Sequence, residues 1–319
     1  MKVQLSDILL AQRMLSGVVV RTPLMYSEPL SRYSGASVWV KGENWQTTGS
    51  FKLRGAYYKM AQLSLEERER GVITASAGNH GLAVAWAGRL LGVSVVVVAP
   101  RGTPKTKLEG IAQYGAEVIA QGGYYDEAET VAQEMALATK RVYVHAFEDA
   151  AVVAGQGTVG LEMLLDQPDL DAIVVPAGGG GLICGIGVAA KAINPAVEVV
   201  GVQSEASPAW HAAWSAGKMV DVEYQPTWGE GLLGGIGEEN FTLARQVVDR
   251  FELVTEEQMK AAMRWALETH HWVVEGSGAV GLAYLLYHGG EMRGRRVGVV
   301  ITGGNLDVSR LRELIAVAE

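Results

Sequence analysis

The stretch AIVVPAGGGGLICG, residues 172–185, decides the fold class because an apolar strand leads directly into four glycines and then a helix. Its unbroken run of apolar residues is typical of a parallel strand covered on both faces. Glycines at the start of a helix leave backbone N–H groups open to an anion, and the helix dipole strengthens the attraction. Four glycines in a row exceed what helix packing requires, so the stretch predicts a phosphate-binding loop.

Short apolar strands alternate with helices along the rest of the chain. Further strands are predicted at residues 38–40, 71–75, 94–99, 117–120, 142–145, 197–202 and 297–302. Helices are predicted at residues 51–62, 81–91 and 256–268, and capping boxes begin at Ser64 and Thr255. This alternation predicts an α/β protein with doubly wound, mostly parallel sheets.

The composition narrows the class of protein and its partners. With 49% hydrophobic and 19% charged residues, the chain of 319 residues can bury a large core, which excludes disorder. A net charge of −8 argues against a nucleic-acid or anionic-membrane partner. The single cysteine, Cys184, excludes an internal disulfide framework and fits a cytoplasmic location. The uncharged stretch 172–190 holds six glycines, which favours a strand–loop–helix over a membrane span.

Two more motifs place reactive groups where a strand or loop meets a helix. NWQTTGSFKLRGA, residues 44–56, puts Lys52 at the start of a helix beside aromatic and small residues, where desolvation can lower the lysine pKa. TASAGNHGLA, residues 74–83, ends a strand in N–H groups and hydroxyls suited to a carboxylate. Taken alone, Lys52 would more often be a solvated surface lysine and His80 a structural histidine.

A fourth motif, VVITGGN at residues 299–305, places Thr302 at the carboxyl end of a strand, where ligands gather in open α/β sheets. Together the four motifs describe a ligand with a phosphate and a reactive carbonyl, handled by a lysine, beside a substrate with a carboxylate. Pyridoxal 5′-phosphate with an amino acid fits this description. A G-x-G-x-x-A string at 185–190 leaves dinucleotide binding as a weaker alternative, because it falls inside a predicted helix.

In this order the motifs resemble the fold-type II pyridoxal-phosphate enzymes of the threonine/serine dehydratase and serine racemase group. The resemblance runs from RTPL at 21–24 to TGGN at 302–305 and includes AGQGT at 154–158 and EGSGA at 275–279. It implies a tryptophan synthase β-like fold of two doubly wound domains with the cofactor between them. The small mobile domain would be residues 48–148, and the large cofactor-binding domain would be residues 1–47 and 149–319. A homodimer or homotetramer is also implied.

The resemblance assigns a role to each motif. Lys52 would hold the cofactor as a Schiff base and later act as the base at the substrate Cα, with Phe51 packed against the pyridine ring. Asn79 would hydrogen-bond the phenolic oxygen of the cofactor, and Thr302 would face its pyridine nitrogen. The substrate carboxylate would bind at Ser76, Ala77, Gly78, Asn79 and His80. The cofactor phosphate would bind at Gly178, Gly179, Gly180, Gly181 and Leu182.

The implied activity is loss of water from an L-3-hydroxy amino acid such as threonine or serine, giving a 2-oxo acid and ammonia. Racemases of this group carry a second serine where this chain has Ala77, so we expect weak racemisation at most. Synthases that replace the β-substituent usually carry T-S-G-N-T in place of SAGNHG, which favours the dehydratase. A non-catalytic binding protein on the same scaffold is the alternative of another class, and an intact Lys52 argues against it.

Two departures from the family pattern lead to further expectations. Gln203 and Ala209 stand where acidic residues of a divalent-cation site are expected, so no metal is predicted. Trp228 and Trp210 add bulk near the expected place of the substrate side chain, which leaves open a 3-hydroxy amino acid larger than threonine.

Overall fold

The computed structural model describes residues 1–316 and contains ten strands arranged in two sheets. The strands are β1 (Leu24–Tyr26), β2 (Ser37–Gly42), β3 (Val72–Ala75), β4 (Val95–Ala99), β5 (Glu117–Ala120), β6 (Val142–Tyr143), β7 (Ala172–Pro176), β8 (Glu198–Ser204), β9 (Arg250–Val254) and β10 (Arg296–Ile301). The larger sheet has the order β1-β2-β10-β7-β8-β9, and the smaller has the order β5-β4-β3-β6.

Helices cover the faces of both sheets. They are α1 (Leu5–Leu15), α2 (Glu28–Ser34), α3 (Lys52–Ala61), α4 (Leu65–Arg70), α5 (Asn79–Leu91), α6 (Lys105–Ala112), α7 (Tyr125–Thr139), α8 (Ala150–Asp166), α9 (Gly181–Ile193), α10 (Ala209–Ala216), α11 (Glu238–Val247), α12 (Glu256–His270), α13 (Gly276–Tyr287) and α14 (Val308–Ala316). Short 3₁₀ helices span Glu43–Trp45, Glu230–Leu232 and Gly289–Met292. None of the helices within residues 1–316 is long and apolar enough to cross a bilayer.

The predicted fold class is confirmed. Every strand pair is parallel except β1 with β2, which is antiparallel. All residues of β4 and β7 are buried, as expected of parallel strands covered by helices on both faces. Both predicted capping boxes begin helices, at α4 and α12. The four strands of the smaller sheet fall within residues 48–148, but the domain boundaries themselves stay a prediction.

The structure also corrects the sequence interpretation at several places. Strands β1 and β9 were missed, because β1 has only three residues and β9 mixes charged with apolar ones. Strand β6 ends at Tyr143, two residues before the predicted end. The G-x-G-x-x-A string lies inside α9, and a Cβ on Gly185 would meet the Val153 carbonyl oxygen at 2.4 Å. Its glycine therefore permits close packing of α9 on α8, and the dinucleotide alternative is wrong.

A buried ion network holds α3 in place. The Arg54 guanidinium donates to both carboxylate oxygens of Glu43 at 2.8 Å and to those of Glu162 at 2.7 and 2.9 Å. The Lys41 ammonium donates to Glu162 at 2.6 Å. All four side chains are almost completely buried, so two positive charges meet two negative charges away from water. Since Arg54 follows Lys52 by two residues, the network also positions the start of α3.

Candidate active site

A cavity of about 920 Å³ lies where the carboxyl ends of β3, β7 and β10 meet between the two sheets. Parallel strands of both sheets thus open onto one space, which is where ligands bind in such folds. Every residue predicted for the site lines this cavity: Phe51, Lys52, Ser76, Ala77, Gly78, Asn79, His80, Gly178, Gly179, Gly180, Gly181, Leu182 and Thr302. The structure therefore brings the four motifs together, although they are distant in sequence.

Lys52 is the first residue of α3 and points its amine into the cavity wall. Its Nζ donates to the Ala146 carbonyl oxygen at 2.8 Å and lies 5.3 Å from the centroid of the Phe51 ring. Burial lowers the pKa of the Lys52 amine to about 8, although the Glu275 carboxyl partly opposes this shift. A lysine with this pKa carries an unprotonated fraction at neutral pH and can act as a nucleophile or a base.

The glycine loop presents a row of free backbone donors. Within the described chain, the N–H groups from 178 to 183 donate to no oxygen, whereas the next one, on Cys184, donates to the Gly180 carbonyl. The carbonyl groups behind the row are held from the other side. Trp210 Nε1 donates to the Gly178 oxygen at 2.5 Å, and Asn240 donates to the Gly179 oxygen at 2.9 Å. With its carbonyls so held, the loop is suited to an anion such as a phosphate.

Close packing behind the loop explains why two of these positions are glycine. A Cβ on Gly179 would lie 2.3 Å from the ring of Phe147. Gly180 has a φ of +104°, and its Cβ would lie 2.6 Å from Trp210. Any side chain would therefore displace the loop that carries the free donors. The sequence interpretation recognised the glycines but not Phe147, Trp210 and Asn240, which no pattern distinguishes from ordinary core residues.

The segment after β3 forms a second cradle at the start of α5. The Ser76 hydroxyl accepts from the Gly78 N–H at 3.1 Å, and the N–H groups of Asn79 and His80 have no acceptor within residues 1–316. The His80 ring is buried, and its Nε2 faces the Val144 carbonyl oxygen at 3.1 Å. Burial lowers the pKa of His80 to about 3, so the ring is neutral and serves this contact. Only its backbone N–H is free for a carboxylate.

A carboxyl group that the sequence interpretation gave no role contacts this cradle. Glu275 lies just before α13, and its carboxyl accepts from the Asn79 side chain at 2.7 Å. The Asn305 side chain donates to the Asn79 oxygen at 2.6 Å. Burial raises the pKa of Glu275 to about 7. Glu275 belongs to the motif EGSGA and Asn305 to the motif TGGN, so membership of these motifs was the sequence signal that could have identified both residues.

Of the other residues predicted for the site, two line the cavity and one lies in the core. Thr302 is buried at the end of β10, and its carbonyl oxygen accepts from the Phe51 N–H at 3.1 Å. Trp228 lines the cavity, with the Arg310 guanidinium 4.6 Å from its ring. Trp210, expected beside the substrate, is instead fully buried behind the glycine loop and stacks on Phe251. Its large ring fills the core there, so the expectation for Trp210 was wrong.

The segment at the end of β8, where the family pattern has a divalent-cation site, caps a helix in this fold. The Gln203 side chain accepts from the N–H groups of Trp210 and His211 at 2.8 and 3.2 Å, and so caps the start of α10. Ala209 is the first residue of that helix. Residues 1–316 contain no group of three or more His, Cys, Asp or Glu side chains that could hold a metal ion.

The cavity fits pyridoxal phosphate by its donors and its charges. The free N–H groups of residues 178–183 suit the phosphate, the Lys52 amine suits the carbonyl group, and Thr302 lines the same cavity at a strand end. The second cradle before α5 suits the carboxylate of an amino acid. These are the groups expected from the sequence, and they line one cavity.

Similarity to known proteins supports pyridoxal phosphate as the ligand that this cavity binds. Residues 15–303 match the family described as pyridoxal-phosphate dependent enzyme. The chain is 45% identical over 314 residues to an L-threonine ammonia-lyase of Thermotoga maritima, covering 98% of this chain and 78% of that protein. It is 35% identical to a catabolic L-threonine dehydratase of Escherichia coli, covering 98% and 96%. The structure of maize serine racemase superimposes with a TM-score of 0.93 at 32% identity, covering 98% and 97%. The chain belongs to the pyridoxal-phosphate dependent enzyme family, in its fold-type II branch.

Proposed function

We propose that this protein is a pyridoxal-phosphate dependent ammonia-lyase that removes water from L-threonine or L-serine. The released enamine tautomerises to an imine, which water hydrolyses to a 2-oxo acid and ammonia. The observation that carries the proposal is that one cavity is lined by a lysine of lowered pKa and by two separate rows of free backbone donors. One row suits a phosphate and the other a carboxylate. Full-length similarity to threonine ammonia-lyases and dehydratases supports the choice of substrate class.

Each part of the cofactor would bind to the residues that complement its charge. Lys52 would hold the cofactor through its amine, and Phe51 would pack beside the ring. The glycine loop and Leu182 would bind the phosphate. Thr302 would face the pyridine nitrogen, where a hydroxyl can share a hydrogen bond without forcing protonation. When bound, pyridoxal phosphate supplies an electron sink for the negative charge that forms at the substrate Cα.

Lys52 performs the proton chemistry of this proposal. With a pKa of about 8, about a quarter of such amines are unprotonated at pH 7.5, so Lys52 can take the proton from the substrate Cα. The Ala146 carbonyl oxygen, 2.8 Å from Nζ, holds the amine in place for this step. The N–H groups at the start of α5 orient the substrate carboxylate, and the surrounding walls keep water away from the reacting atoms.

Asn79 is expected to bind the phenolic oxygen of the cofactor through its side-chain amide. Glu275 and Asn305 both hydrogen-bond this amide, one from each end, at 2.7 and 2.6 Å. Because Oδ1 accepts from Asn305 and one N–H of Nδ2 donates to Glu275, the orientation of the amide is fixed, and within residues 1–316 the second N–H of Nδ2 remains to donate to a ligand. We therefore assign Glu275 and Asn305 as residues that position Asn79.

Serine racemisation is the second candidate, favoured by the close superposition on maize serine racemase. Racemisation needs a proton donor on the face of the substrate opposite Lys52. Ala77 lines the cavity in the segment that would supply this donor, and its methyl group has no proton to give. We therefore expect elimination to be much faster than racemisation. The cavity, with Trp228 in its wall, also leaves open a larger 3-hydroxy amino acid as substrate.

Further parts of the proposal rest on the sequence. A cytoplasmic location follows from the single cysteine, and a homodimer or homotetramer follows from the family resemblance. The mobile small domain at residues 48–148 would close on the bound substrate.

The test is a visible absorbance spectrum of the purified protein with and without L-threonine and L-serine, with 2-oxo acid assayed in parallel. We expect a cofactor band that shifts with substrate, and release of 2-oxo acid. Lys52→Ala should lose both signals, whereas Lys59→Ala, on the same helix and paired with Asp149 at 2.6 Å, should retain them. A cofactor band without 2-oxo acid would reject the dehydratase assignment. The absence of any band in protein supplied with pyridoxal phosphate would reject the role of Lys52.

A further inference from the structure

An ion pair in the lining of the cavity joins α6, which packs on the smaller sheet, to a segment that contacts α13 on the larger sheet. Lys107, on α6 beside the smaller sheet, donates to the Glu230 carboxylate at 2.8 Å. Glu230 begins the 3₁₀ helix Glu230–Leu232, and Asp307, 4.0 Å from the Lys107 ammonium, comes just before α14. The 3₁₀ helix of Glu230 packs against α13, and α14 packs against α12, whereas Lys107 comes from α6; all three residues line the cavity.

The Glu230 side is anchored to the wall that carries the glycine loop. The Gly231 N–H donates to the Ser277 hydroxyl at 2.8 Å, and a Cβ on Gly178 would lie 3.0 Å from the Gly231 carbonyl oxygen. Arg310 approaches Glu230 at 3.3 Å from the same side. The 3₁₀ helix that carries Glu230 is therefore fixed to the wall of the glycine loop, whereas Lys107 is contributed by α6.

The charge of Lys107 also acts inside the cavity. Its ammonium favours the ionised form of Glu275, whereas Glu230 opposes it. Glu275 contacts Asn79, so a displacement of α6 would change both the width of the cavity and the charge near Asn79. Through this ion pair, the position of α6 affects the groups that we expect to bind cofactor and substrate.

We propose that Lys107 is a positioning residue whose ion pair with Glu230 holds the cavity closed around the amino-acid substrate. This inference rests on the proposed function, because it takes the cavity to be the amino-acid site. The Lys107 side chain is 26% exposed and that of Glu230 is 54% exposed, so water and salt weaken the attraction. Ion pairs of this exposure shift an equilibrium by up to about fivefold, which sets the scale of the expected effect.

The first measurement is steady-state kinetics of the holoenzyme with L-threonine at low and high potassium chloride. For Lys107→Gln we expect a KM about twofold to fivefold above wild type, with kcat changed by less than about twofold. The wild-type KM should rise with salt, and the variant should lose this dependence. Lys107→Arg keeps the positive charge and should retain the wild-type KM and its dependence on salt. The matched control is Lys105→Gln, on the same helix, whose partner Glu109 lies on α6 itself at 3.4 Å.

The second measurement does not depend on turnover. Hydrogen exchange of the holoenzyme should be faster in Lys107→Gln than in wild type at residues 105–116 and 228–237, and unchanged in Lys105→Gln. If Lys107→Gln matches Lys105→Gln in either KM or exchange, the positioning role is overturned. If wild type forms no 2-oxo acid, the proposed function fails, while the exchange experiment still tests the ion pair itself.

Discussion

Replacement of Gly179 by alanine tests whether the glycine loop binds the cofactor phosphate. The new Cβ would lie 2.3 Å from the Phe147 ring, whereas ordinary contact begins at 3.4 Å. The loop or the ring must therefore move by about 1.1 Å. Forcing an extra carbon into a packed site of this kind costs about 1–3 kcal/mol.

The assay separates the two ways in which this cost can appear. If the loop moves, its N–H groups leave their positions, and the Kd for pyridoxal phosphate rises by about 5-fold to 150-fold. If the ring moves, the Tm of the apoprotein falls instead. Titration of the apoprotein with pyridoxal phosphate and a thermal melt measure both quantities. We expect most of the effect in the Kd, because the Phe147 ring packs edge-on against the His145 ring at 4.5 Å and the Phe147 carbonyl oxygen accepts from Asn240 at 3.1 Å, so the ring has little room to move aside.

A second substitution identifies the cause. Phe147→Ala removes the ring that the new Cβ would meet, so the double variant Gly179→Ala with Phe147→Ala should bind pyridoxal phosphate within about threefold of Phe147→Ala alone. Gly102→Ala is the matched control, because a Cβ there meets no atom within 4 Å. A Gly179→Ala variant with wild-type Kd and Tm would refute the reasoning, as would a double variant that binds no better than Gly179→Ala.

Two further predictions concern buried charges. In the apoprotein the pKa of Glu275 is raised from 4.5 to about 7, so its contribution to stability is full below pH 4.5 and is lost as the pH rises through 7. The Tm of wild type relative to Glu275→Gln should therefore fall between pH 5 and 8, and a constant difference in thermal melts would contradict this. Arg54→Met leaves Glu43 and Glu162 buried without their main partner and should lower the free energy of unfolding by about 3–5 kcal/mol. Urea denaturation measures this loss, and Arg32→Met is the control. Arg32 forms an exposed ion pair with Glu28 at 3.7 Å, so its replacement should change the free energy of unfolding by less than about 0.5 kcal/mol.

The fold and most of the site could be predicted because they depend on local patterns. A continuous apolar run identifies a buried parallel strand, and a glycine or polar run directly after it identifies the carboxyl end of that strand. The glycine loop and Thr302 follow β7 and β10, which are neighbours in one sheet, so their shared edge brings them together. Asn79 follows β3 of the other sheet, and only the combination of motifs placed it at the same site. The family resemblance then added the role of each motif, which no periodicity contains.

The parts that were missed depend on tertiary contacts. Nothing in the neighbouring sequence of Trp210 or Asn240 shows that their side chains hold the carbonyls of a loop some 30 to 60 residues earlier. The same holds for Lys107 and Glu230, which are separated by 123 residues and look like ordinary surface charges in the sequence. Charged residues have no periodic pattern that reveals their partner, so their pairing appears only in the folded chain.

The position of Lys52 shows how packing in the core governs the chemistry of the cavity. Helices α3 and α8 cross where Gly55 meets Gly155, since a Cβ on Gly155 would lie 2.6 Å from the Gly55 Cα. One residue before Gly55, Arg54 fixes α3 to Glu162 of the same helix α8. These contacts lie within three residues of Lys52 and fix the start of α3. The Lys52 amine therefore lies in the cavity wall, where it donates to the Ala146 carbonyl oxygen. The lowered pKa of Lys52 is a consequence of this placement, because the amine is buried and desolvated there. A substitution that loosens the crossing of α3 and α8 should therefore raise the pKa of Lys52 toward that of an ordinary lysine.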